Sequence, residues 1–173
     1  MMVRSTFGEY RINRIVAAPA LADGSTDPDV VEETPDHIAL IARSRSAKFA
    51  GTTLYGEAGL PGLVLVDQGR PVCAAHFADR LEYDRDSTWP LAEDGIALID
   101  IATDEEARGR GFAPRVIAEA TRRYSAKRQP LIAFIWWNNH PSLNAFRKAG
   151  WRVIGTSIEF FLFGKWRGLR FRH

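Results

Sequence analysis

The sequence predicts a single α/β domain, residues 1–173, built on a mixed central sheet flanked by helices. Three observations carry this. "GIALIDIAT" and "LIAFIWW" are near-continuous apolar runs, as expected of strands covered on both faces. Each is followed by apolar residues at helical spacing. No linker, repeat or break in composition divides the chain.

The elements follow in order. "EYRINRIVAA" alternates loosely and reads as a first strand. "LADGSTDPD" is turn chemistry and predicts a mobile Leu21–Asp29 loop. Thr34-Pro35-Asp36 opens a helix, with Thr34 as N-cap and proline in the first turn. Ile38, Ile41, Ala42 and Phe49 are expected to form one apolar stripe along it. "LVLVDQGRPVCAAHFA" is a hairpin turning at Asp67–Arg70, and "RLEYDRDSTWPLAED" a polar connection. "GIALIDIAT" then runs straight into "EEARGRGFAPRV". Val116, Ile117, Ala120 and Tyr124 mark the next helix, and Pro130 stops it. After "LIAFIWW" a further helix starts at Pro141 and ends at Gly150. A strand, a turn over Gly164–Gly168 and a last strand "LRFRH" complete the chain.

Composition narrows the function. A lone cysteine, Cys73, excludes an intramolecular disulfide and a Cys-rich zinc site. Four scattered histidines argue against a metal enzyme. No run approaches the ~18 apolar residues of a membrane helix. The apolar stretch Ile15–Ala22 resembles a secretion signal but is short and holds Pro19, so a cytoplasmic protein is expected. Residues 1–106 carry 9 Lys and Arg against 19 Asp and Glu, whereas residues 107–173 carry 14 against 2. That asymmetry suggests a cation for one half and a polyanion for the other, or else two differently solvated faces.

The glycine turn between strand and helix has the makings of an anion site. The first N–H groups of a helix lack internal partners, and its dipole is positive there. Gly109 and Gly111 let a ligand approach the backbone, and Arg108 and Arg110 add charge. GxxxxGK[ST] is absent, and GxGxxG fails because Pro114 stands in the third glycine's place.

Arg108-Gly109-Arg110-Gly111-Phe112-Ala113 instead fits R-x-x-G-x-[G/A]. With its lead-in "IDIATDEEARGRG" it resembles the pyrophosphate loop of the GNAT superfamily, the GCN5-related N-acetyltransferases. A second block, "NHPSLNAFRKAGW", resembles that family's N-x-x-[S/A]-x-x-x-[Y/F]-x-K-x-G-[F/W] helix, through Asn139, Ser142, Phe146, Lys148, Gly150 and Trp151. The resemblance covers roughly residues 95–155 and implies a GNAT fold, whose two central strands splay apart. It implies acetyl-CoA, or another acyl-CoA, as co-substrate. The pantetheine arm would pair with strand backbone at Ile101 and Thr103. The pyrophosphate would sit on the turn from Arg108 through Gly109, Arg110, Gly111 and Phe112 to Ala113. Asn139 and Phe146 would flank the thioester.

The resemblance further implies acyl transfer to a primary amine by direct attack, the Ile101 N–H polarising the carbonyl. Asp100 is the candidate general base. By alternation it shares a face with Ile96, Leu98 and Ala102, where apolar neighbours would raise its pKa. Its other reading is a structural partner of a buried arginine or a loop. Glu93 and Asp94, just before the strand, could act through water. The family's usual proton donor to the leaving thiolate is a tyrosine at the position of Phe146; Ser142 offers a hydroxyl on the same helix. One of Trp136 and Trp137 faces the cleft, while Cys73 and His76 read as ordinary strand residues. The acceptor is a small-molecule or peptide amine. Neither a membrane nor a nucleic acid is an expected partner, the sequence holding no recognisable nucleic-acid module. The tail "FFLFGKWRGLRFRH" reads as a closing hairpin, a common dimer contact in this family, so a homodimer is possible. A non-catalytic acyl-CoA-binding module, a sensor or scaffold, is the alternative that Phe146 keeps open.

Overall fold

Local sequence sets each element. The computed structural model describes residues 3–5, 8–20, 25–83, 89–127, 129–162 and 165–173. Strands β1 (Val3–Ser5), β2 (Gly8–Ala17) and β3 (Val30–Glu32) precede helix α1 (Pro35–Ile41). Thr34 caps α1 from both sides: its Oγ1 accepts from the His37 N–H (3.3 Å), and His37 Nδ1 accepts from the Thr34 N–H (3.2 Å). The expected single stripe is broken here. Ile41 ends α1, and Phe49 lies on a separate short helix, α2 (Ala47–Ala50). Ser44 intervenes, accepting from the Ser46 N–H and donating to Asp104 Oδ2 at 2.6 Å, so side-chain bonds displace the helical ladder. Ile41 and Phe49 still meet in one cluster with Val64, Ala74 and Ala102.

After α3 (Thr53–Glu57), strands β4 (Gly62–Asp67) and β5 (Arg70–Ala78) form the hairpin. Its two central residues, Gln68 (φ 51°) and Gly69 (φ 76°), both lie at positive φ, as a tight two-residue hairpin turn requires. Then come α4 (Arg80–Tyr83), β6 (Ile96–Thr103), a 3₁₀ turn at Glu105–Ala107, α5 (Phe112–Ala126), β7 (Leu131–Trp136), α6 (His140–Lys148), β8 (Arg152–Leu162) and β9 (Lys165–Arg172). The last strand therefore begins earlier than the sequence suggested. Gly168 lies inside β9, opposite Glu159, and Gly164 falls outside the described residues, as does part of the Leu21–Asp29 loop.

The sheet runs β3-β4-β5-β6-β7-β2-β8-β9, with β1 added to β2. Among the described residues, β6 and β7 are the one pair of neighbouring strands that is parallel, and α5 makes the crossover between them; α6 makes a second crossover, from β7 over β2 to β8. One face packs against α5 and α6 through Leu65, Phe77, Leu98, Val116, Ile117 and Phe146. The opposite face carries two separate clusters. Ile41 and Phe49 cover β4 to β6, while Tyr83, Trp89 and Leu91 cover Ile15, Ala97 and Ile132.

Charged residues tie the ends of the chain to this frame. Glu119 on α5, whose side chain is 1% exposed, accepts from Arg122 and Arg123 and from the Asp27 N–H. Burial alone would raise its carboxyl, but these hydrogen bonds outweigh burial and hold it at about 2.

Two predictions follow from the packing. Because Glu119 is held below its ordinary 4.5, its contribution to stability is complete above that pH and is lost as pH falls toward about 2. Thermal melts across pH 2–6 should show that loss, and Glu119→Gln should flatten it while costing about 1–3 kcal/mol at neutral pH. At Gly155 in β8, a Cβ would lie 2.3 Å from the Trp89 ring and 2.7 Å from the Phe171 carbonyl oxygen. Gly155→Ala should destabilise the fold by about 1–3 kcal/mol in urea denaturation, the overpacking being partly backbone.

Candidate active site

The site begins where β6 and β7 part. They pair only at Ile96–Leu131, Ala97–Ile132 and Leu98–Ala133; beyond these residues the two strands diverge. On its other side β6 stays paired with β5, and the Asp104 N–H donates to the Val72 carbonyl at 2.9 Å. By the alternation of an antiparallel ladder, the N–H groups of Ile101 and Thr103 then point away from β5, into the gap.

The β5–β6 register slips between His76–Asp100 and Phe77–Leu98, leaving Ile99 as a β-bulge. The bulge corrects the simple alternation. Leu98 and Ile101 lie on the α5/α6 face, whereas Asp100 falls on the opposite face with Ala97 and Ala102. Asp100 therefore shares a face with Ala102 as expected, but not with Ile96 or Leu98.

The gap opens into a cleft of about 740 Å³ that reaches both faces of the sheet. Leu98–Ile101 form one wall and Ala133–Trp136 the other. Asn139, Ser142 and Phe146 line it from the α6 side; Lys48, Tyr55, Glu82 and Tyr83 line it from the α1–α4 side. Asn139 caps α6, its Oδ1 accepting from the Ser142 N–H at 3.3 Å. Phe146 is 2% exposed and meets Trp151 edge-on, ring centroids 4.7 Å apart. Of the two tryptophans, Trp136 lines the cleft and Trp137 is half exposed.

Asp100 is half-buried. Burial pushes its carboxyl above the usual range, and the charges of Lys48 and His76, with the Ile101 N–H, pull it partly back. Tyr55 is raised by burial and by the nearby Asp100, so its hydroxyl keeps its proton at neutral pH. Burial lifts the Cys73 thiol to about 12, leaving an inert core residue bonded by the Thr103 hydroxyl at 3.3 Å. Glu93 and Asp94 are exposed in the turn before β6 and do not line the cleft.

At the end of β6 the chain makes the glycine turn. Gly109 (φ 80°) and Gly111 (φ 82°) are both left-handed, and Gly111 is the N-cap of α5 with no side chain closing it. No atom stands within 4 Å of where either Cβ would be, so that side of the turn is open. The N–H groups of Phe112 and Ala113, in the first turn of α5, have no partner within the helix. The Phe112 side chain is core, 5% exposed, so only its backbone is available. The arginines are committed elsewhere. Arg108 pairs with Glu105 (3.3 Å), and Arg110 pairs with Asp67 (2.9 Å) over the Phe112 ring. Arg115 grips Asp27 (2.7 Å) and Asp29 (2.6 Å). What the turn presents is therefore chiefly backbone N–H and helix dipole.

The structure thus brings Asp100, Ile101, Asn139 and Phe146 to one cleft. Thr103 and the turn from Arg108 to Ala113 lie further along, beyond its lining residues. Sequence reasoning missed Tyr55 and Lys48, which reach the cleft from short helices. His76, read as an ordinary strand residue, lies in β5 with its ring 5.5 Å from that of Tyr55. Among the described residues, no His, Cys, Asp and Glu cluster could hold a metal ion, and no helix is long and apolar enough to cross a membrane.

Comparison with known proteins bears on the fold. Residues 79–160 match the family model described as FR47-like protein. A GNAT-family protein from Novosphingobium aromaticivorans superposes with a TM-score of 0.67 at 16% identity, over 91% of this chain and 64% of that one. A GNAT-family acetyltransferase from Colwellia psychrerythraea gives 0.60 at 16% identity, over 94% and 56%. The chain thus spans less than two thirds of either protein's length. The aminoglycoside N-acetyltransferase AAC(6')-Iy, solved in complex with CoA, gives 0.53 at 19% identity, over 70% and 90%. No curated protein sequence matches the chain. Residues 79–160 thus carry the FR47-like, GNAT-related pattern, and the chain as a whole has the fold of the GNAT acetyltransferases.

Proposed function

We propose that this protein is an acyl-CoA-dependent N-acyltransferase that acetylates a primary amine on a small molecule or peptide. The observation that carries this reading is the opening between β6 and β7, which puts a free strand edge, a half-buried carboxylate and both faces of the sheet in one cleft. The CoA seen in AAC(6')-Iy, and that enzyme's structure with a CoA-linked acetylneamine bisubstrate analogue, support the ligand class.

The residues fit the co-substrate. The open side of the turn at Gly109 and Gly111, with the N–H groups of Arg110, Gly111, Phe112 and Ala113 and the start of α5, suits a pyrophosphate. The unpaired edge at Ile101 and Thr103 suits the amides of a pantetheine arm, which would run toward Asn139 and Phe146. Bound there, acyl-CoA supplies an acyl group activated as a thioester.

The chain's own groups do the rest. Asp100 lies on the α1–α4 face, with its affinity for a proton raised by burial. It takes the proton from the acceptor ammonium, leaving a neutral amine to attack. The Ile101 N–H, released from the Asp100 carboxylate as that group takes its proton, stabilises charge developing on the carbonyl oxygen. Phe146 has no proton for the departing thiolate, so that proton comes from water or from Ser142. Phe146 is also the observation behind a second reading, a binding module without turnover.

Two experiments test the proposal. Gly111→Asp places a negative charge at the α5 N-terminus and should weaken CoA binding about tenfold or more in calorimetry. Gly111→Asn imposes the same left-handed strain without the charge and should bind more tightly than the aspartate variant; equal affinities in the two variants and wild type would refute the site. In a CoA-release assay against panels of amines, Asp100→Asn should lower kcat by about 10²–10⁴-fold with CoA affinity unchanged. Near-wild-type turnover with the same acidic limb removes Asp100 as base. A folded protein that binds acetyl-CoA but turns over no amine favours the binding module.

A further inference from the structure

Behind Asp100 lies a buried pair with no evident structural purpose. His76 stands in β5 directly opposite Asp100 in the antiparallel register, and it is wholly buried. Its Nε2 is 2.9 Å from Oε2 of Glu33, which lies between β3 and α1 and whose side chain is 3% exposed. Two neighbouring elements leave room for this carboxylate. A Cβ at Gly56 of α3 would lie 2.4 Å from Glu33 Oε2, and one at Gly62 of β4 would lie 2.8 Å from it. Glu33 Oε1 and His76 Nδ1 have no hydrogen-bond partner among the described residues. A buried pair satisfied on only one side each is a poor source of stability, and apolar residues of similar volume would serve the fold as well or better. The ring does, however, connect to the cleft: it packs on Tyr55, which lines the cleft together with Asp100.

We propose that Glu33 and His76 are positioning residues for Asp100: Glu33 fixes the imidazole ring, and the ring sets the charge environment in which Asp100 accepts the acceptor's proton. This rests on Asp100 being the base. His76 of β5 stands opposite Asp100 in the register, and Lys48 from α2, Tyr55 from α3, Glu82 from α4, Arg11 of β2 and Glu159 of β8 line the cleft with it. Arg11 and Glu159 pair with each other, and the α4 residue Tyr83 donates its hydroxyl to the Trp89 carbonyl. Lys48 and His76 both favour the Asp100 carboxylate; Lys48 is exposed and open to screening by salt, whereas His76 is buried.

The test follows the Asp100 carboxyl directly, by carbon-13 NMR titration of the full chain, and so needs no acceptor. The double variant His76→Phe/Glu33→Leu removes the pair without leaving an orphan charge, so folding should be retained. Its Asp100 midpoint should rise by about one unit or more, and the rise should persist at high salt. Once an acceptor is known, the acidic limb of kcat/KM should move the same way. Should the double variant not fold, His76→Gln, which can still donate to Glu33, is read by the same criterion. A midpoint within about a third of a unit of wild type overturns the proposal, even if Asp100→Asn abolishes turnover. A shifted midpoint with Asp100→Asn fully active instead removes the base and, with it, the pair's catalytic role.

Discussion

The parting of two parallel strands is the constraint from which the rest of the site follows. β6 and β7 share only three residue pairs, after which each runs on with one edge free of the other. Backbone N–H and C=O groups turned into an enclosed space need partners. Here the space is a cleft of about 740 Å³, large enough for an extended ligand that carries its own amides. The bulge at Ile99 belongs to the same device. It keeps Leu98 and Ile101 on the α5/α6 face while turning Asp100 to the other. One strand thereby presents an open backbone edge to the gap and a carboxylate toward the layer opposite α5 and α6.

That opposite layer is divided in two. Phe49 and Ile41 cover one end of the face; Trp89, Leu91 and Tyr83 cover the other. Asp100, Tyr55 and Lys48 line the cleft on this side. The charge asymmetry of the sequence takes on a different meaning here. Acids of the first half reach basic residues of the second, as Asp27 and Asp29 do with Arg115, Asp67 with Arg110, and Glu32 with Arg123. Part of the imbalance is thus settled within the molecule. The Asp67–Arg110 pair also joins the tip of the β4–β5 hairpin to the glycine turn, and Asp27–Arg115 joins the β3 lead-in to the first turns of α5.

What could be read from the sequence was what local physics determines. Long apolar runs could only be β6 and β7, Thr34-Pro35 could only open a helix, and Gly109 and Gly111 marked a turn needing positive φ. The cleft's α6 wall was legible through the resemblance of "NHPSLNAFRKAGW" to the GNAT helix block, which singles out Asn139, Ser142 and Phe146. The bulge was not legible. Nothing in "IALIDIAT" distinguishes strict alternation from a slip at Ile99, since the slip is set by pairing with β5. Nor was the Glu33–His76 contact, which spans 43 positions and depends on two glycines in two further elements. Short helices such as α2 and α3 bring Lys48 and Tyr55 into place, yet they offer too few residues for a periodic signal.

Phenylalanine at position 146 is best understood from the chemistry of the two ends of the proposed reaction. A thiol has an ordinary pKa near 8.5, so a thiolate is a tolerable leaving group in water at neutral pH. An alkylammonium is different: with a pKa near 10.4, only about one acceptor in 10³ is neutral at pH 7. Proton removal from the amine is therefore the harder task, and proton delivery to sulfur the easier. The distribution of polar groups follows that order. On the α1–α4 side of the cleft stand Asp100 and, buried behind it, His76 and Glu33. On the α6 side, Phe146 packs edge-on against Trp151, whose indole N–H is tied to Thr121 at 2.8 Å. In the proposed reaction this apolar wall would exclude water from the thioester without having to supply a proton. Phenylalanine at position 146 is thus compatible with the proposed turnover, provided that the carboxylate on the opposite face is kept ready to accept a proton.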